Sequence, residues 1–322
     1  FRDVTQAMNV QGDSRAMSVV TNASDVDGDG DLDLIVGNYV DWSKERDMRV
    51  DERFDGIKRA YSHPNIFDGT PANYFVNNHP EPFSDMSRES GIAGHAQRDA
   101  RGKVLGIVAL PLNDDPTPDF LFANDSTPNF AFRSTAPGAF DEVANRLGFA
   151  YNNLGQPTAA MGIDTAWLGD GLSLHVAIGN FSAEMSSVYR FDEPGVFTDI
   201  APLTGIGVPS RRVLTFGVLF ADLDLDGRQD LVQVNGHVQP DIGTLMTSQS
   251  YAQEAQLFWN CGEGCSRPFV LVPPESTGDL ARPVVGRGLA AADYDGDGDL
   301  DLLISSLNGP LRLLRNDQQS GN

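Results

Sequence analysis

The sequence predicts an all-β protein, a β-propeller of four-stranded antiparallel blades, five in number. Three observations predict it. An aspartate-rich loop followed by an apolar run recurs along the chain. A short strand carrying Phe two residues before an acid recurs after those loops. The composition is rich in turn formers, with Gly 33 and Pro 19 in 322 residues. A supersecondary unit repeated with variable insertions is the mark of a repeat architecture, and four short antiparallel strands per unit describe a propeller blade.

The loop is clearest in DVDGDGDLDLIVGNY, from Asp25 to Tyr39. Its acids fall at every second position, and the chain then turns apolar. The pattern Asp-x-Asp-x-Asp-Gly-x-x-Asp-Leu returns in ADLDLDGRQDLVQVNG from Ala221 and in ADYDGDGDLDLLISS from Ala292. Two further copies show by register, because an Asn follows the ninth loop position by five residues. Asn124 and Asn180 place these loops at PLNDDPTPD (Pro111 to Asp119) and WLGDGLSLH (Trp167 to His175). The five copies start at 25, 111, 167, 222 and 293, separated by 55 to 86 residues.

The second element is FSDMS (Phe83), FDEVA (Phe140), FTDIA (Phe197) and, at the start, FRDVT (Phe1), with a reduced form FVLV at Phe269. Period-2 alternation and Gly/Asn/Pro punctuation favour strands over helices. A single domain over 1–322 is expected, with blade cores near 16–86, 103–143, 158–200, 213–272 and 285–317. The last unit stops at PLRLLRND, its third strand, so FRDVT (1–5) is expected to close the last blade, with Val4 beside Leu311 to Arg315.

Crowded carboxylates raise one another's pKa, so such a run is either a solvated tail or a cation cage. Calcium takes six to eight oxygen ligands from short acid-rich loops, with a Gly at the sharp turn and a backbone carbonyl one residue on. The expected cages are Asp25, Asp27, Asp29, the carbonyl of Asp31, and Asp33; Asp222, Asp224, Asp226, the carbonyl of Arg228, and Asp230; and Asp293, Asp295, Asp297, the carbonyl of Asp299, and Asp301. The loop at Pro111 has Pro116 in place of the Gly, and the loop at Trp167 has Gly169 and Gly171 in place of acids. Three Ca²⁺ per chain are therefore expected, in a structural rather than catalytic role. The run behind each cage is expected to be a blade's inner strand.

Lys plus Arg is 23 against 45 for Asp plus Glu, a formal charge of −22. That balance excludes nucleic acid, which needs a basic surface, and disfavours anionic lipid. No apolar run approaches the ~20 residues of a membrane span. The two cysteines, Cys261 and Cys265 in FWNCGEGCSRPF, fit a turn closed by a disulfide, with free thiols and a metal site as alternatives. The chain starts at Phe1 without Met, so a mature or trimmed chain is expected.

The segments GRGLAAADYDGDGDLDLLISSLNGPLRLLRND (Gly286 to Asp317), FGVLFADLDLDGRQDLVQVNGHVQPDI (Phe216 to Ile242), ANDSTPNFAFR (Ala123 to Arg133) and AAMGIDTAWLGDG (Ala159 to Gly171) resemble the FG-GAP/VCBS-type propellers, with blades similar to those of integrin α subunits. More narrowly they resemble the ASPIC/UnbV, or cartilage-acidic-protein-like, family. The resemblance implies an extracellular or periplasmic calcium-binding protein without a defined reaction. It also implies a small C-terminal domain after the last blade, which a chain ending at Asn322 is expected to lack, and paired cysteines in the first-blade insertion, where Ser62 stands instead.

No GxSxG, HExxH or phosphate-cradling loop is present. Among the five histidines, His175 fills position nine of a degenerate loop, and His237 in NGHVQPD is the candidate for a catalytic role at the central face. The connection from Asp41 to Ala72 carries Trp42, Phe54, Tyr61 and Phe67 among mixed charges, and also His63. Long connections often carry function, so this one is expected to be ordered and to form the partner surface. The reading is a secreted calcium-stabilised module for protein binding, assembly or adhesion. The alternatives are a lectin-like propeller that binds extracellular glycan and a lyase or hydrolase.

Overall fold

The computed structural model describes every residue except 55–57, 96, 97, 100, 114, 170–172, 193, 194 and 318–322. The chain divides into two compact units, Phe1–Ala160 and Met161–Asn322. It forms the five antiparallel blades of a β-propeller, with few and short helices.

In the first unit, blade one orders its strands Ala16–Ser24, Asp33–Asp41, Asn73–Asn78 and Glu81–Asp85. Blade two follows with Val104–Leu110, Asp119–Asn124, Phe130–Ala136 and Ala139–Glu142. The unit boundary falls at the first residue of blade three, whose strands are Ala160–Leu168, Ser173–Asn180, Ser187–Asp192 and Val196–Asp199. Blade four comprises Thr215–Ala221, Asp230–Asn235, Gln256–Asn260 and Phe269–Leu271. Blade five has Gly286–Ala292, Asp301–Ser306 and Arg312–Leu314.

The apolar run behind each aspartate loop is the second strand of its blade, an inner strand one place in from the edge, as expected. It reads as continuously apolar because both of its faces are covered: every residue of Asp119–Asn124 and of Asp230–Asn235 is buried. In blade two the fourth-strand aromatic, Phe140, packs between its own blade and the preceding one. Phe140 meets Tyr74 at 6.5 Å and Phe120 at 5.6 Å, both edge to face. Burying one such ring stabilises by roughly 2–3 kcal/mol. Gly162 marks a close approach of first strands within the second unit. A Cβ there would lie 1.9 Å from the Phe216 carbonyl oxygen.

Closure of blade five by Phe1–Thr5 is the sequence expectation. Among the described residues this blade has three strands, and Phe1–Thr5 forms none. The N-terminal segment instead turns on itself within the first unit. The Val4 carbonyl accepts from Met8 N–H at 2.8 Å, and the Met8 carbonyl accepts from Phe83 N–H at 3.1 Å on the outer strand of blade one. FRDVT carries the signature of a fourth strand, but a signature does not name its partner.

The insertion between the second and third strands of blade one is ordered over its described residues. Lys44–Val50 forms a helix capped by Ser43, and Pro64–Ile66 a 3₁₀ turn. Asp47 holds both ends of the excursion, accepting from Arg59 at 3.0 Å and from the Ser62 hydroxyl at 3.0 Å. Phe67 is buried under the Arg46 guanidinium, 5.5 Å from the ring centroid. The Phe54 side chain lies outside the described residues.

Candidate metal centres

Each of the three full loops brings its first, third and fifth carboxylates together. One oxygen from each of Asp25, Asp27 and Asp29 lies within 4.8 Å of the others, and the same holds for Asp222, Asp224 and Asp226 and for Asp293, Asp295 and Asp297. The backbone sets this up. Asp25 accepts from Gly28 N–H at 2.8 Å and Gly30 N–H at 3.1 Å, one on each oxygen. Asp293 repeats this with Gly296 at 2.7 Å and Gly298 at 3.1 Å. Folding the loop over its first acid requires positions four and six in the left-handed region, where glycine costs least. Gly28 and Gly30 (φ 81° and 96°) and Gly296 and Gly298 (φ 78° and 100°) meet this. In blade four position four is Leu225, held at φ 58°, and position six is Gly227.

The N–H groups of Asp31, Arg228 and Asp299, whose carbonyls were expected at position seven, donate to the position-five carboxylates at 2.9, 2.9 and 3.3 Å. The crowding has an electrostatic cost. Burial, then the charges of Asp33 and Asp29, push Asp27 above the usual carboxylate range. Burial, then Asp297 and Asp301, push Asp295 the same way. All donors are hard oxygens, the set that suits a calcium-class cation.

The ninth acids do something the sequence did not reveal. Asp33 is fully buried and bridges two elements: one oxygen accepts from Val26 N–H (3.1 Å) and the Tyr74 hydroxyl (3.1 Å), the other from Asn77 N–H on the third strand (2.8 Å). Asp230 clamps Leu223 and Asn260 N–H at 3.3 and 2.8 Å, and Asp301 clamps Tyr294 and Asn316 N–H at 3.1 and 2.8 Å. Each ties residue two of the loop to the end of the third strand, while keeping lone pairs for a cation. Burial, with the charges of Asp224 and Asp226 adding to it, pushes Asp230 up to about 7 against the pull of its N–H donors.

Blade four differs in a second way. The Arg228 guanidinium pairs with Asp226 and donates to the Asn260 carbonyl at 2.8 Å, and Trp259 Nε1–H donates to Asp224 at 2.9 Å. Two of its three cage carboxylates are thus already engaged. Trp259 in QLFWN gave no hint, because its partner lies far back in the chain.

The degenerate loops form no such triad among the described residues. Asp114 of the blade-two loop and residues 170–172 of the blade-three loop lie outside them. Asp119 nevertheless clamps Leu112 and Ser134 N–H at 2.6 and 2.7 Å. His175 takes the same slot in blade three, with Nδ1 2.9 Å from the Ser173 carbonyl, and burial holds it below the usual histidine range.

His237, the catalytic candidate, is 2 % exposed. Its Nδ1 accepts from Gln239 N–H at 3.0 Å and its ring packs edge to face on Phe181 at 5.5 Å. Burial, then the nearby Arg287 guanidinium, push it down to about 4. The group is positioned as a neutral packing element. Cys261 and Cys265 form a disulfide around the 3₁₀ turn Gly262–Gly264, as the short spacing implied.

Residues 285–322 match the FG-GAP repeat family model. With the five blades, this supports an FG-GAP β-propeller. No curated protein matches the chain. Among solved structures, a putative phosphatase from Bacteroides thetaiotaomicron is similar at 11% identity and TM-score 0.50, over 97% of this chain and 63% of that one. A Bombyx mori GH32 β-fructofuranosidase is similar at 12% identity and TM-score 0.42, over 92% and 59%. An Agrocybe aegerita lectin that recognises non-reducing terminal N-acetylglucosamine is similar at 12% identity and TM-score 0.39, over 98% and 84%. Likeness at such identity speaks to the fold alone. No described helix is long and apolar enough to cross a membrane.

Proposed function

We propose that the chain is a secreted, calcium-stabilised propeller that serves as a protein-binding or assembly module, of the kind found in the ASPIC/UnbV-like family. The observation that carries the calcium reading is the triple recurrence of one carboxylate triad at the same loop positions, each folded over its first acid by backbone N–H groups. Asp25, Asp27 and Asp29, with their counterparts in blades four and five, would hold the ions, the ninth acids and position-seven carbonyls completing the shell. The ions would neutralise like charge in the turns and so stabilise the fold. A disulfide suits an oxidising compartment, extracellular or periplasmic.

For the binding surface, the support is the blade-one insertion. It is pinned from within and still presents Trp42, Met48, Tyr61 and Ile66 to solvent. Fixed aromatic side chains are frequent interface anchors. Elemental analysis of chelator-free protein is expected to find three Ca²⁺ per chain, and excess EDTA to lower the melting temperature, since an ion that binds only the folded state stabilises it by mass action. One ion or none, with an unchanged melting temperature, would sink the calcium reading. Trp42→Ala with Tyr61→Ala is expected to abolish capture of the partner while leaving calcium content unchanged.

A further inference from the structure

We infer that a cavity between blades three and four binds an acidic sugar through its carboxylate or sulfate ester. The cavity holds about 490 Å³, and all of its lining lies within Met161–Asn322. Clefts of about 300–1,000 Å³ with a few convergent polar groups are the usual seats of small ligands. Charge distinguishes this one. The chain carries 45 acids against 23 Lys and Arg. Yet Arg190, Arg228 and Arg267 all line the cavity, and no Asp or Glu among the described residues does. A groove of about 770 Å³ in the same unit keeps the balance of the whole chain, with Asp224, Asp230, Asp279 and Asp317 against Arg315 alone. A concave site lined by one sign of charge concentrates ligands of the other.

The three arginines are not equivalent. Arg190, on the third strand of blade three, commits Nε and one terminal nitrogen to Asp192, at 2.7 and 3.0 Å. Arg228, in the blade-four loop, donates from Nε to the Asn260 carbonyl at 2.8 Å and from one terminal nitrogen to Asp226. In both, the other terminal nitrogen has no partner among the described residues. Arg267 is exposed, and its side chain makes no ion pair or hydrogen bond among the described residues. Two of the three charges thus already face an aspartate, and Arg267 is the surplus cation. Its backbone is anchored on both sides. The Cys261–Cys265 disulfide closes the turn just before it, and the Pro268 carbonyl just after it accepts from Cys261 N–H at 3.0 Å. A guanidinium meets a carboxylate or sulfate through two parallel N–H donors, and one carried on an anchored segment loses less freedom in doing so.

The rest of the lining favours a sugar over a bare ion. Trp167 borders the cavity while staying 53 % exposed, so a flat apolar surface stands at its mouth. Indole offers a broad apolar face on which a sugar ring can lie. The Ser266 hydroxyl and the Gln229 amide also line the cavity, and both side chains are unpartnered among the described residues. Each can donate and accept, as ring hydroxyls require. A bare sulfate would engage the arginines and leave Trp167 and these two groups unused.

The test is calorimetric titration of the full chain, in one calcium-containing buffer, with digalacturonate, a sulfated disaccharide, neutral digalactose and sodium sulfate. One or both acidic disaccharides are expected to bind, and which of them binds tells a carboxylate from a sulfate-ester source. Digalactose is expected to bind at least about ten-fold more weakly, because it offers the arginines no charge. Arg267→Ala is expected to weaken the acidic sugar at least about ten-fold, and Arg267→Lys to recover part of the loss, since it keeps the charge without the fork. Trp167→Ala is expected to weaken it about three-fold or more. Both replaced side chains are exposed, so folding is retained. Arg282→Ala removes an exposed arginine outside the cavity and is expected to leave affinity unchanged. No binding of either acidic disaccharide, equal binding of digalactose, sulfate bound as tightly as the acidic sugar, affinity indifferent to Arg267→Ala or to Trp167→Ala, or an equal loss in Arg282→Ala each overturns the inference.

Discussion

The loops of blades one and two separate two jobs that share one sequence pattern. Both end in a fully buried aspartate, Asp33 and Asp119, and both of these grip residue two of the loop and the third strand. Among the described residues only blade one adds a triad of acids. The clamp therefore does not depend on the cage. It belongs to the architecture of the blade, and the cage is an addition to it.

The hardest way to break this distinction is to remove the clamp where the described residues form no triad. Asp119→Ala leaves two buried N–H groups without acceptors and is expected to cost about 3–4 kcal/mol. The same loss is expected in calcium and in EDTA, read by urea denaturation. Asp29→Asn is expected to show the opposite pattern, costing little in EDTA and losing the calcium-dependent increment. If Asp119→Ala were tolerated in either condition, the clamp would be decorative.

A pH titration sharpens the comparison by locating acid sensitivity away from the loops. His237 stays neutral in the folded protein down to about pH 4, while the unfolded chain takes up its proton near 6.5. Between those values the unfolded state binds more protons, so stability is fully present above about 6.5 and falls as pH falls toward 4. The loss is at most about 3 kcal/mol. At saturating calcium, His237→Gln is expected to flatten this slope. An unchanged slope would return the acid sensitivity to the carboxylate loops.

How much of this the sequence revealed follows from where each partner lies. The loops, the fourth-strand aromatics and the Cys261–Cys265 turn are contiguous patterns, and their chemistry is local. The clamp was hidden because its acceptors and donors are far apart along the chain: Asp33 reaches Asn77, and Asp230 reaches Asn260. The ninth acid consequently read as a cation ligand alone. FRDVT carries the fourth-strand pattern but forms no strand, and the N-terminal turn and its bond to Phe83 could not be inferred from five residues.

Within the three cages the comparison narrows to blade four against blades one and five. Arg228 brings a positive charge onto Asp226, so an incoming cation must compete with it. Arg228→Gln keeps the position-seven carbonyl and removes the competitor. It is expected to tighten calcium at this loop by about three- to ten-fold, or roughly 1 kcal/mol, the scale of an ion pair near the surface. Calorimetric titration in a background of Asp29→Asn and Asp297→Asn isolates the site. Equal or weaker binding would show that the pair does not compete.

The smallest effect concerns the backbone under that same cage. Position four is Gly28 in blade one and Gly296 in blade five, but Leu225 in blade four, at φ 58°. A side chain in the left-handed region clashes with the following carbonyl, at a cost of roughly 1–2 kcal/mol. Leu225→Gly removes that clash, gives up a partly exposed side chain, and adds freedom to the unfolded chain that offsets part of the gain. The net expectation is stabilisation by about 0.5–1 kcal/mol in EDTA, with Gly28→Ala in blade one destabilising by a similar or larger amount. Chemical denaturation of the two variants against the parent decides it. If both substitutions destabilise, the Leu225 side chain holds the turn by its own contacts, and the blade-four loop is built on different terms from its two counterparts.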